Sequence, residues 1–140
     1  MKILRQVLND LLHSVPCAPP ETGGILGGKF GVISTYVVDY GQDMIDNYGH
    51  YSPDVKKLNR IVSNWAKRDI ELYGIFHSHF PGGDQLSLGD KNYITKIMLA
   101  MPVDVNRLFF PIVLPTQIIG YQASRYGSQI PICRVDIKIL

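Results

Sequence analysis

The chain has 140 residues, enough for one domain with a core of its own, and its 46% hydrophobic and 19% charged content is that of a soluble globular protein. A net charge of +2 is too small to argue for nucleic-acid binding, and no apolar run approaches the ~20 residues a membrane helix needs. Cys17 and Cys133 lack the spacing of a metal knuckle and read as free thiols of a reducing, cytoplasmic compartment, with a bridge between the chain ends as the alternative.

Leu4, Val7, Leu8, Leu11, Leu12 and Val15 recur at helical spacing. They predict an amphipathic N-terminal helix packed on a sheet, not a signal peptide or a membrane-surface segment. Pro16, Pro19 and Pro20 end it and lead into Glu21-Thr22-Gly23-Gly24-Ile25-Leu26-Gly27-Gly28. From its neighbours alone, Glu21 reads as an ordinary loop carboxylate, and the glycines read as places of close backbone packing or a bulge. Gly23, Gly28 and Lys29 imitate a phosphate-binding loop, but Phe30 stands where Mg²⁺ coordination wants Ser or Thr. The β-branched and aromatic run from 30 to 40 then predicts a strand where a phosphate loop would open a helix, so nucleotide binding is discounted.

The loop 41 to 51 follows, carrying Tyr48, His50 and Tyr51. Ser52 and Pro53 predict the next helix start, as cap and first helical residue. Val55, Leu58, Ile61, Val62 and Trp65 form its inward stripe, while Lys56, Lys57, Arg60, Lys67 and Arg68 form a solvated basic face. Residues 72 to 80 read as a buried strand. Alternation then points His77 and His79 to one face, and Phe76 and Ser78 to the other. Pro81, Gly82, Gly83 and Asp84 are loop chemistry, and a second internal helix starts near Ser87. Ser87, Asp90, Ile94, Ile97, Met98 and Met101 share one face of it.

Two imidazoles and a carboxylate on facing elements are a three-ligand set for zinc, with the fourth position open for catalysis. A carboxylate on an inward stripe also needs a partner, because an isolated buried charge is very costly. Ser87 and Asp90 fit a helix-capping box as well, and that explains both residues without a metal. The C-terminal third predicts strands at about 107 to 114, 117 to 126 and 131 to 139. Pro111 and Pro115 mark the first of these as an edge or an interrupted strand. Helix, strands, helix, strand, helix, strands suggests an α+β fold, a mixed central β-sheet flanked by helices, in a single domain spanning 1 to 140.

Glu21 before a Gly-x-Leu-like strand, then His77-x-His79, a proline, and Ser87-x-x-Asp90, resembles the JAMM signature of the JAB/MPN-domain metalloproteases. The resemblance spans roughly residues 20 to 125, and Pro81 departs from the pattern by following Phe80, not the second histidine directly. The fold it implies is JAB/MPN-like (cytidine-deaminase-like). It further implies one Zn²⁺ held by His77, His79 and Asp90, with Glu21 as general base and proton carrier and Ser87 as oxyanion donor. The implied reaction is hydrolysis of a peptide or isopeptide bond after the tail of a ubiquitin-like protein, and the size suits the prokaryotic branch. Tyr48, His50 and Tyr51 are the candidate cleft wall. Homodimer or partner-subunit pairing is a further expectation, without nucleic acid or membrane. A zinc amidase for small peptides or metabolites, and a non-catalytic MPN-type scaffold, are the alternative readings.

Overall fold

The strand nearest the middle of the sheet is rich in glycine, and that composition decides how the layers meet. In the computed structural model, which describes residues 1–17, 21–41, 51 and 53–140, β2 (Gly23–Lys29) lies between two antiparallel neighbours. These are β3 (Val32–Asp39) and β4 (Glu71–Ser78). A Cβ on Gly27 would lie 2.6 Å from the Trp65 ring, and one on Gly24 would lie 2.6 Å from the Phe76 ring. The bare positions of β2 thus admit aromatic rings from opposite faces. A register shift between Gly27 and Gly28 against β3 is the bulge that such glycines allow.

Around these strands run β1 (Lys2–Ile3), α1 (Arg5–Ser14), α2 (Val55–Ala66) and α3 (Leu88–Ala100). They are completed by β5 (Arg107–Phe109), β6 (Ile112–Val113), β7 (Ile118–Ile119), β8 (Tyr121–Ser124), β9 (Ile132–Arg134) and β10 (Lys138–Ile139). The sheet order is β10-β1-β3-β2-β4-β5-β8-β9, with β6 joined to the end of β4 and to β7. Parallel and antiparallel pairs mix, and among the described residues three helices flank the sheet, so the fold is α+β. One face carries Ile3, Val7, Leu11, Leu26 and Phe76 under α1. The other carries Ile25, Leu58, Trp65, Ile75, Ile94 and Met98 under α2 and α3.

Several boundaries differ from the expectations, each for a local reason. Lys2 and Ile3 pair with β3 and β10 before α1 begins, and Ile3 is wholly buried between them. Helical spacing starting at Leu4 cannot reveal that pairing. Helix α2 begins at Val55, with Asp54 as its cap accepting the Lys57 N–H at 3.2 Å, so Pro53 precedes the cap; Ser52 lies outside the described residues. The first C-terminal strand is interrupted, giving β5 and β6 on either side of Phe110–Pro111. It is not an edge, since β5 pairs with both β4 and β8. The last expected strand likewise divides, and β10 crosses to pair with β1. Cys17 and Cys133 are free. Among the described residues no helix is long and apolar enough to cross a membrane.

Gly27→Val would force a side chain into the Trp65 ring and the Glu71 carbonyl, which a Cβ already approaches within 3.0 Å. Overpacking of this kind costs roughly 1–3 kcal/mol. A lowered melting temperature in a thermal denaturation series is the expected result, and an unchanged one would show that Trp65 repacks freely.

Candidate metal centre

The end of β4 is pinned on both sides, and that pinning aims its two histidines. The His77 N–H donates to the Pro111 carbonyl at 3.3 Å and the His79 N–H to the Val113 carbonyl at 3.1 Å, so both backbones are held by the β6 side. Between them, the Ser78 N–H donates to the Thr22 carbonyl at 2.7 Å, and the Ser78 hydroxyl accepts the Thr22 N–H at 2.9 Å. This reciprocal pair ties Glu21, the next residue back, to the histidine strand. Ser78 is a positioning contribution that alternation alone does not disclose: it points away from the histidines and still serves the same site.

Asp90 arrives from α3. Ser87 caps this helix, its Oγ accepting the Asp90 N–H at 3.0 Å while the Ser87 N–H donates to Asp90 Oδ2 at 2.9 Å. The capping box is therefore real, and it coexists with a second role for Asp90. The same Oδ2 lies 3.4 Å from His77 Nε2 and 3.2 Å from His79 Nε2. The two Nε2 atoms are 2.9 Å apart, and Glu21 Oε1 is 3.9 Å from His79 Nε2. One ligand atom from each of Glu21, His77, His79 and Asp90 falls within 4.8 Å of the others.

These separations suit a cation. Zinc with bonds of ~2.0 Å in a tetrahedron places its ligand atoms about 3.3 Å apart. The His77–Asp90 and His79–Asp90 distances bracket that value, and the imidazole pair is slightly tighter. His79 Nδ1 lies 2.7 Å from the Gly83 carbonyl, which can only accept. The proton therefore sits on Nδ1, which leaves Nε2 a lone pair in the neutral ring, the usual outer-shell arrangement of a metal-binding histidine. Glu21 Oε2 is buried and, among the described residues, has no hydrogen-bond partner. Such an oxygen is costly unless a further donor, such as a water at the centre, reaches it.

Electrostatics agree with the geometry. Burial pushes the Glu21 carboxyl up to about 7, with His79 opposing and Asp90 assisting. Burial would also raise Asp90, but the adjoining His77 and His79 rings and the Ser87 N–H outweigh it and hold this carboxyl well below the usual range. For His79, burial lowers the pKa, and the neighbouring Asp90 carboxylate and the Gly83 carbonyl more than reverse it. The cluster thus keeps Asp90 ionised and ligand-ready while Glu21 stands close to neutral-pH titration.

The loop between the histidines and α3 is braced. The Gly83 N–H donates to the Phe80 carbonyl at 3.0 Å, closing a turn with Pro81 and Gly82 at its corners and Gly82 at φ 89°. Leu86 is buried, and the Tyr121 hydroxyl donates to the Asp84 carbonyl at 3.0 Å. Arg125 closes the far end of α3 by donating to the Met98, Met101 and Val105 carbonyls. Tyr121 and Arg125 carry no motif, so sequence reading passes over both.

Ser87 is exposed at the start of α3, beside the Asp90 carboxylate. Its oxygen accepts within the cap, so its hydroxyl proton is still available to donate. Tyr51, expected in a cleft wall, is instead a core residue: it is 4% exposed and its hydroxyl donates to Asp39 Oδ2 at 2.6 Å. Tyr48 and His50 lie outside the described residues.

A family model described as prokaryotic homologs of the JAB domain matches residues 4–124. Among solved structures, the solution structure of protein DSY2949 from Desulfitobacterium hafniense is similar at 20% identity and a TM-score of 0.71, covering 99% of this chain and 92% of that one. AF2198, a JAB1/MPN domain protein from Archaeoglobus fulgidus, is similar at 17% identity and a TM-score of 0.58, covering 100% of this chain and 99% of that one. At these identities the likeness establishes the fold. A comparison with curated proteins found no match.

Gly82→Val places a β-branched residue at positive φ and disturbs the turn that presents the Gly83 carbonyl to His79. Loss of such an outer-shell partner typically costs about 10–100-fold in metal affinity. Competition against a chromophoric zinc chelator is expected to show a weakening on that scale. Equal affinity would remove the turn from the account of His79.

Proposed function

The chain belongs to the prokaryotic homologs of the JAB domain, and on that premise we propose that it is a zinc-dependent hydrolase of peptide or isopeptide bonds. The observation that carries the proposal is the convergence of His77, His79, Asp90 and Glu21 within 4.8 Å, a grouping with more buried polar atoms than it can satisfy internally. His77, His79 and Asp90 would hold the ion. Zinc bound there supplies Lewis-acid chemistry, lowering the pKa of a water from ~15.7 to about 7 and polarising the scissile carbonyl.

The residues of the chain divide the remaining work. Glu21 orients the water and takes its proton as the oxygen attacks the carbonyl carbon. The same carboxyl then delivers that proton to the leaving amine as the C–N bond breaks. Burial raises this carboxyl in the metal-free site, which favours its uptake of a proton. Ser87 donates its hydroxyl proton to the oxyanion that develops on the carbonyl oxygen. The ionised Asp90 offsets positive charge at the centre.

The substrate class follows from the family resemblance: a bond after the C-terminal tail of a ubiquitin-like protein or its conjugate. Such a tail can lie extended and be held by backbone hydrogen bonds, as in strand addition. A non-catalytic scaffold has no need of this cluster, and here the glutamate, both histidines, the aspartate and the serine are all retained.

Glu21→Gln should retain zinc and lose turnover of a diglycine-linked modifier conjugate, followed by mass spectrometry of the released amine. Most activity surviving in that variant would refute Glu21 as the base. Ser87→Ala should lower the rate by roughly 10²–10³, the usual loss for one oxyanion donor. A folded modifier should be cut faster than its isolated tail peptide, and equal rates would move the assignment to a small-substrate amidase.

A further inference from the structure

Between the metal cluster and the far side of β2 lies a second buried group with its own polar logic. Gly23 is the register partner of His77 on β4 and of Asp39 on β3. Paired residues on adjacent strands project to the same face, so Asp39, Gly23 and His77 form one row across three strands. The middle position has no side chain, and Tyr51 takes the space: a Cβ on Gly23 would lie 2.6 Å from the Tyr51 ring atoms Cδ2 and Cζ. The Tyr51 ring therefore lies between the row's metal-ligand end and its carboxylate end.

Both ends of Tyr51 are engaged. Its hydroxyl donates to Asp39 Oδ2 at 2.6 Å, and its backbone stands beside the Glu21 carboxylate, favouring the ionised form. Asp39, 2% exposed, is itself fixed from two more directions. Its Oδ2 also accepts the Asp54 N–H at 3.0 Å, just before α2, and Lys57 Nζ stands 3.7 Å from Oδ1. The contacts make a continuous path: helix α2 start, Asp39, Tyr51 hydroxyl, Tyr51 backbone, Glu21. A tyrosine held only as core filler would need its ring alone. Here the hydroxyl is anchored on a buried carboxylate and the backbone contacts the residue assigned as proton carrier.

We propose that Tyr51, locked by Asp39, is the positioning residue of Glu21, setting where its carboxylate stands relative to the metal ligands. The proposal rests on the hydrolase reading given above. It assigns Tyr51 no contact with substrate, metal or the reacting atoms. Its effect is on the placement of the carboxylate, and a misplacement near 1 Å can cost on the order of 10²-fold in rate.

Tyr51→Phe keeps the ring over Gly23 and deletes the hydroxyl. Crystal structures of this variant and the native chain give a readout independent of activity. The expected result is a displaced or multiply placed Glu21 carboxylate, with His77, His79 and Asp90 unmoved and zinc affinity retained. With a cleavable conjugate, kcat should fall about 10–100-fold while KM stays within error. Asp39→Ala should reproduce the loss. Asp39→Asn should restore most of it, because one amide oxygen can accept both the Tyr51 hydroxyl and the Asp54 N–H that now share Oδ2. A native-like Glu21 position in Tyr51→Phe overturns the proposal, as does a fall in melting temperature with kcat unchanged. Failure of the hydrolase reading is separately visible, because the zinc-loaded native chain would then cleave no conjugate, while the structural readout still decides the role of Tyr51.

Discussion

One buried carboxylate facing two buried imidazoles governs this molecule. Asp90 Oδ2 stands within 3.4 Å of both His77 Nε2 and His79 Nε2, and all three side chains are almost wholly removed from solvent. Such groups are expensive to bury unless charge and hydrogen bonding compensate them. In this protein the compensation is built from several elements. The Ser87 N–H holds Asp90, the Gly83 carbonyl holds His79, and the pinned end of β4 holds both histidines. A cation is the natural remaining counterpart, and the orphaned Glu21 Oε2 marks where a water or substrate atom would complete the set.

The fold can be understood as the means of keeping those elements in register. β2 brings Thr22 against Ser78 and Gly23 against His77, so the strand that follows Glu21 is fixed to the strand that bears the two histidines. The glycines of β2 let Tyr51, Trp65 and Phe76 close on it, which brings α2 and the outer layer near enough to exclude water. At the other end, Arg125 secures the last turn of α3 and Tyr121 secures the loop before it. Rigid elements and braced loops are what a metal site needs if its ligands are to be preorganised.

Much of this was legible in the chain, and the reasons are specific. Alternation placed His77 and His79 on one face because the pairing with the β6 side continues just past the end of β4, through the His79 N–H to the Val113 carbonyl. The Ser87 to Asp90 spacing marked both a cap and an inward carboxylate, and the two readings proved compatible, since one carboxylate oxygen serves the Ser87 N–H and the histidines together. The glycine stretch was readable as close packing with a bulge. What escaped depended on contacts distant in sequence. Thr22 and Ser78 are 56 positions apart and Asp84 and Tyr121 are 37 apart. The pairing of β1 with β10 joins the two ends of the chain. Membership of the loop 41 to 51 suggests a cleft wall for Tyr51, whereas the structure buries it, with Asp39 as its polar partner inside the core.

Zinc-edge X-ray absorption on the purified chain, with metal content measured on the same sample, tests the central claim most directly. The account requires one zinc per chain, two imidazole nitrogens and oxygen ligands, and no sulfur in the first coordination sphere. Failure to hold zinc after reconstitution at neutral pH, or a sulfur ligand from Cys17 or Cys133, would contradict it.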